Sequence, residues 1–355
     1  MTLTTITDLD GLRRHLSAAL QLEHATIPPY LTALYSIEPG TNSEAYHILR
    51  AVVVEEMLHL TLAANILNAV GGEPDLTVPG FVPSYPAYLP DGETDFQVDL
   101  RQFSREAVEM FLKIERPATT GDAGVRTVHR EATEGTLRAA RVHDDSEEHF
   151  YSIGEFYQAI EEGLVHLHAE HGDAIFSGDP DRQVTPEYYY SGGGDVVAVT
   201  DLASARAAIR LISEQGEGVG GAIFDYEDEI AHYYRFQQLM LGRYYREGDE
   251  GGRPTGAAVE VDWDAVLPIA TNARLADVPE GSELRTAMVA FNACYGDFLR
   301  LLTRAFRGEP KLLIEAVGDM FRIKELAYQL MRQPLAAGRN AAPTFEIAEG
   351  SRVDG

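Results

Sequence analysis

Residues 52–72 read VVVEEMLHLTLAANILNAVGG, an apolar run interrupted by Glu55, Glu56 and His59 and closed by a glycine pair. The periodicity predicts a long helix capped by Thr41, Asn42 or Ser43 and stopped at Gly71-Gly72. Glu56 and His59 stand three apart, on one helical face, so both can reach one metal ion. One Glu-x-x-His is a weak signal in a chain with 56 acidic residues. A matching segment, Asp228-Glu229-Ile230-Ala231-His232, adds weight, on a stretch whose pattern predicts a helix from about Phe224 to Arg246. Glu44 and His47 repeat the spacing, but Glu44 precedes Glu56 by 12 residues. That is about 18 Å along the helix, too far to share its site.

Working outward, each long helix before these pairs offers a carboxylate. Asp8 to Ile37 is helical in period, with Thr7 or Asp8 as cap, and Glu23 is the only carboxylate on the apolar run from Leu16 to Ile37. Pro28 and Pro29 fall inside it, where a proline costs roughly 3 kcal/mol and disturbs the carbonyl four residues back, here those of His24 and Ala25. A junction of two helices near Thr26 is the simplest reading, since proline suits a first turn. A third long helix starts near Ser152, with Ser146 as an alternative earlier cap, and offers Glu155 or Glu162; Glu217 in EQGEG is a further candidate. Ser152 and Glu155 also form a capping box, which gives Glu155 a purely structural use. His166, His168 and His171 offer a second metal-site pattern, but a solvated helix end is the favoured reading.

The order Glu, Glu-x-x-His, Glu, Glu-x-x-His is the inward ligand set of carboxylate-bridged two-metal bundles. The expected class is therefore all-α: a ferritin-like four-helix bundle with a long crossover, a Pro-rich cover segment (73–96) and extra C-terminal helices. Ser104 to Glu115 and Asp201 to Ser213 read as shorter helices, and 283–306 and 311–331 as two more long ones. The expected division is a metal-binding bundle over 1–260, with a polar insert at 118–147, and a helical extension over 261–355 packed on it.

A formal charge of −27 argues against nucleic acid and against an anionic membrane surface. The start, MTLTTITDLDGLRRHL, has no leader-like pattern, and no uninterrupted apolar run reaches membrane-spanning length, so a cytoplasmic location is expected. With Cys294 as the single cysteine, intrachain disulfides and thiolate clusters are excluded. A homo-oligomer is compatible with this pattern.

The segments LEHATIPPYLTALYSI, VVVEEMLHLTLAANILNAVGG, FLKIERP, SIGEFYQAI, SEQGEG, EIAHYYRF and APTFE together resemble the ferritin-like domain of iminophenyl-pyruvate dimer synthases, which act in violacein-type and rebeccamycin-type biosynthesis. The resemblance extends over nearly the whole chain, most weakly at 118–147. It implies metal ligands at Glu23, Glu56, His59, Glu155, Glu229 and His232, the set that the spacing also suggests. It further suggests that the proline pair bends the first helix and frees carbonyls beside the metals. Carboxylate and imidazole donors suit iron or manganese and also accommodate zinc. The expected function is a di-iron oxidase or oxygenase using O2 on a small aromatic metabolite, with Tyr30, Tyr157 and Tyr233, and also Tyr226, as candidate pocket or catalytic groups. A non-catalytic metal-binding or storage protein is the alternative.

Overall fold

The computed structural model describes residues 6–90, 96–117, 152–190, 196–218, 221–225 and 228–347; the insert expected at 118–147 and Tyr226 lie outside them. Two long antiparallel helices open the chain. Helix α1 (Leu9–Ser36) starts at Asp8, whose carboxylate accepts from the Gly11 N–H, and α2 (Ser43–Ala69) turns back along it. Helix α3 (Arg105–Ile114) is capped by Ser104, and α4 (Ile153–His171) by Ser152, which accepts from the Glu155 N–H. Helix α5 (Leu202–Gly216) carries an Asp201 and Ser204 capping box, and α6 spans His232–Leu241.

Helix α1 lies against α2 and α4, and α5 lies against the same two, closing a four-helix ring. The long crossover runs from α2 to α4. Thus the fourth bundle helix is α5, not the 224–246 stretch that the sequence pattern favoured. Among the described residues of that stretch, only His232–Leu241 are helical. Asp228 is left-handed at φ 63°, Ala231 N–H donates to the Ile223 carbonyl, and Phe224 pairs antiparallel with Ile230. A non-glycine residue in that region interrupts a right-handed helix. Helix α6 instead packs outside the ring on α2, α3 and α5.

Helix α1 runs unbroken through Pro28 and Pro29, which rules out the two-helix reading. Tertiary packing overrides the local cost, because every residue from 19 to 30 is buried. The Ala25 carbonyl, whose helical donor is lost at Pro29, accepts instead from the Tyr85 hydroxyl at 2.8 Å. Of the two carbonyls that the proline pair disturbs, that of Ala25 is therefore satisfied by a protein donor. Tyr85 belongs to the Pro-rich cover, which also places Phe81 against the His24 ring and offers the Gly80 carbonyl to Gln21 Nε2. Helices α7 (Glu283–Phe306) and α8 (Leu312–Leu330) pair with one another, α7 resting on α2 and α8 on α1. A short hairpin of β1 (Pro334–Ala336) and β2 (Arg339–Asn340) follows. Cys294 is a buried free thiol. By length and composition α2 alone among the described helices could cross a membrane, but 83% of its apolar window is buried inside the fold.

Candidate metal centre

Glu23 from α1 and Glu56 and His59 from α2 converge, with metal-ligating atoms within 4.8 Å of one another; so do Glu56, Glu115 and His232. All five are buried. Glu56 belongs to both groups, which makes it the natural bridge between two metal positions. On one side, His59 Nδ1 lies 3.6 Å from Glu23 Oε2 and 3.9 Å from Glu56 Oε1. On the other, His232 Nδ1 lies 2.9 Å from Glu56 Oε1 and 3.6 Å from Glu115 Oε2.

Each carboxylate is oriented by a hydroxyl on its far oxygen. Tyr157 donates to Glu23 Oε1 at 2.6 Å, Thr26 to Glu56 Oε2 at 2.8 Å and Tyr30 to Glu115 Oε1 at 2.5 Å. The second oxygens are left facing inward. Each histidine is likewise held by its outer nitrogen: His59 Nε2 contacts Gln215 Oε1 at 3.0 Å, and His232 Nε2 contacts Glu55 Oε2 at 2.8 Å. With the outer nitrogen as donor, a neutral ring leaves Nδ1 free to coordinate. His232 Nδ1 bears out this fit. It is buried and has no hydrogen-bond partner, although carboxylate oxygens lie close by. The donors converge on a common point, as a cation requires.

Among the predicted ligands, then, Glu23, Glu56, His59 and His232 come together, and Glu155 and Glu229 do not. Glu155 sits half-buried in the first turn of α4, where its N–H is capped by Ser152. Glu229 precedes α6, is 62% exposed and pairs with Arg235 at 2.9 Å. A helix through 229–232 would have turned it inward; the turn at Asp228 prevents that. Glu162 is exposed and accepts from Gln158. Glu115, at the end of α3, was missed because it has no partner histidine nearby in sequence and lies in a short helix before a proline. FLKIERP held the one available signal: a carboxylate following an apolar face and directly before the Arg-Pro stop.

Tyr30 and Tyr157 are fully buried against the carboxylates, whereas Tyr233 is half-buried and packs edge-on against Tyr234, away from the cluster. His47 is exposed, and His168 pairs with Asp173 at the end of α4, so neither joins the site. A small cavity touches the centre, lined by Glu23, Glu56, His59, Glu115 and Tyr157 on one side and by Gly154 and Glu217 on the other. Its volume is about 10 Å³, room for about one water molecule. Glu217 Oε1 accepts from the Gly154 N–H at 2.7 Å, and a Cβ at position 154 would come within 2.4 Å of Glu217 Oε2. A side chain at position 154 would therefore displace this carboxylate.

The charges need compensation. Burial, then the neighbouring Glu115, pushes the Glu56 carboxyl up to about 7. Burial opposes a charged His232, but Glu115 and Glu55 outweigh it and hold this imidazole well above its ordinary range. For His59, burial is likewise outweighed, by Glu23 and Glu56, and the pKa rises. Glu55 is lowered, because His232 and Arg235 overcome its burial. Tyr30 and Tyr157 are both pushed up, by burial first and then by Glu115 and Glu23 respectively, so they remain hydroxyl donors. Without cations, the raised Glu56, His59 and His232 keep protons inside the cluster.

Residues 16–241 match the family model described as Ferritin-like. The chain belongs to the ferritin-like family. It is similar to dichlorochromopyrrolate synthase from Lentzea aerocolonigenes, with 28% identity over 346 residues that cover 85% of this chain. The match takes in only 30% of that relative's length. Its fold is also that of a ferritin-like protein from Caulobacter vibrioides, at 23% identity with a TM-score of 0.60, over 91% of this chain and 97% of the other. The resemblance noted from the sequence motifs is therefore upheld at the level of family and of a biosynthetic relative. Within this ferritin-like chain, the buried carboxylate and histidine cluster is compatible with two metal ions.

Proposed function

We propose that the chain is a non-haem di-metal oxidoreductase that uses O2 on a small, aromatic, amino-acid-derived metabolite in secondary metabolism. The observation that carries this reading is the buried cluster in which Glu56 is shared between Glu23 with His59 and Glu115 with His232. Iron is the proposed metal, with manganese or zinc accommodated by the same donors. Reduced iron held there would supply electrons for O2 reduction and so the oxidising power for the substrate. The chain's own share is orientation and exclusion of water. Tyr30, Tyr157 and Thr26 each fix one carboxylate oxygen, Gln215 and Glu55 fix the imidazoles, and burial keeps bulk solvent from the reacting centre. Glu217, which lines the same cavity, offers a further carboxylate.

The similarity to a biosynthetic synthase supports an enzyme and the substrate class. The small cavity favours one rival, a non-catalytic metal-binding protein, since it accommodates water or O2 but not an aromatic ring. For the enzyme reading, the cavity has to widen to admit substrate, and the contact between Gly154 and Glu217 forms part of its wall. The test is anaerobic reconstitution with ferrous iron, a metal count, and then O2 uptake with and without α-imino or α-keto acids derived from aromatic amino acids. About two irons per chain and substrate-dependent uptake are expected. Metal binding without substrate-dependent uptake would leave the storage reading; no bound metal would remove both.

A further inference from the structure

The two halves of the centre are built alike on the inside and differently on the outside. His59 is backed by Gln215, a neutral amide at the end of α5, whereas His232 is backed by Glu55, a carboxylate 6% exposed. Glu55 is itself fixed, since its second oxygen accepts from Arg235 at 3.2 Å and Arg235 also holds Glu229. The two imidazoles also differ in access: the cavity is lined by His59 and by all three carboxylates, Glu23, Glu56 and Glu115, but does not touch His232.

A hydrogen bond to a charged acceptor is roughly twice as strong as one to a neutral acceptor. A carboxylate behind a ligating imidazole draws on its outer N–H, raises the basicity of the inner nitrogen and fixes the ring. Changes to such outer partners typically alter metal affinity by about 10- to 100-fold. Gln215 orients His59 but lends no charge. We propose that the two metal positions are inequivalent: the one formed by Glu115 and His232 binds tightly and fills first, and the one formed by Glu23 and His59 binds more weakly, exchanges, and faces the cavity. Glu56 then serves a filled position and an exchangeable one. Glu55 and Gln215 are positioning residues, acting through the histidines. This inference rests on the metal-binding reading above and assigns the exogenous ligand to the His59 side.

The test uses metal-depleted full-length chain titrated with Mn(II), followed by calorimetry and by electron paramagnetic resonance. Two classes at least about tenfold apart are expected. An isolated-ion signal should grow to one equivalent, then give way to a coupled-pair signal as the second ion arrives across Glu56. Glu55→Gln should weaken the tight class by about 10- to 100-fold and bring the two together, whereas Gln215→Ala should weaken only the looser class. Far-ultraviolet circular dichroism and thermal melting check that each variant folds. The Gln215→Ala arm still decides the assignment if Glu55→Gln fails to fold. Two indistinguishable classes, or a tight class unmoved by Glu55→Gln, would overturn the inequivalence and leave the metal reading intact. No Mn(II) bound to folded wild-type protein would overturn both.

Discussion

Glu56 and His59 lie deep inside α2, whereas Glu229 and His232 straddle the start of α6, so the same spacing delivers two inward groups in one segment and a single one in the other. Only a continuous helix converts a three-residue spacing into a shared face. In the second segment the left-handed Asp228 ends that relation, and Glu229 turns to solvent and Arg235. The missing carboxylate is supplied by Glu115 from α3, which stands to His232 as Glu23 stands to His59. The centre thus keeps the balance of two carboxylates, two imidazoles and a bridge, while drawing one member from an unrelated element.

The contrast can be broken most sharply by removing the corresponding glutamates. Glu56→Ala should abolish metal binding at both positions, from about two ions per chain to nearly none, and O2 uptake with it. Glu229→Ala should leave both intact. Elemental analysis of the folded variants decides this, and metal loss in Glu229→Ala would mean that the second motif acts as a unit after all. Next in size, Glu115→Gln should cost about one of the two ions, whereas Glu155→Gln should cost none.

The third effect is a pH dependence of the metal-free protein. Glu56, pushed up to about 7 from its ordinary 4.5, stays protonated in the fold while the unfolded chain ionises. Stability therefore falls as pH rises from about 4.5 to about 7. His232, held above 6.5, adds stability that is fully present below that value and is lost as pH rises through its raised pKa. Glu55 works oppositely: its lowered pKa gives stability above 4.5 that is lost as pH falls through the folded value. The melting temperature without metal should thus decline from weakly acidic to alkaline pH, and Mn(II) should flatten the decline. A profile that rises with pH would contradict the protonated cluster.

Smaller effects probe the backbone. Tyr85→Phe leaves the buried Ala25 carbonyl without its donor and should cost about 1–3 kcal/mol in denaturant unfolding. At the turn that sets the two motifs apart, Asp228→Val should cost about 1–2 kcal/mol with metal content unchanged, because a β-branched residue resists a positive φ.

Much of this was legible without coordinates where the determining interactions are local. Asp8, Ser104, Ser152 and Asp201 cap the helices that the sequence pattern marked, and 283–306 is helical over the predicted span. Glu23, Glu56, His59 and His232 could be chosen because buried acids and histidines stand out on apolar helical faces. Pro28 and Pro29 mark the limit. Their cost can be read locally, but Tyr85, which satisfies the Ala25 carbonyl, comes from a segment 60 residues away.

By itself, then, the sequence determined most of the helices, the caps at Asp8, Ser104, Ser152 and Asp201, the all-α class and the chemical kind of the centre, since periodicity, capping and donor type are properties of neighbouring residues. Only the tertiary structure decided that α5 closes the ring, that Glu115 enters in place of Glu229, and that Gln215 and Glu55 back the two histidines. Convergence on a point depends on where elements far apart in the chain come to rest, and packing decides that.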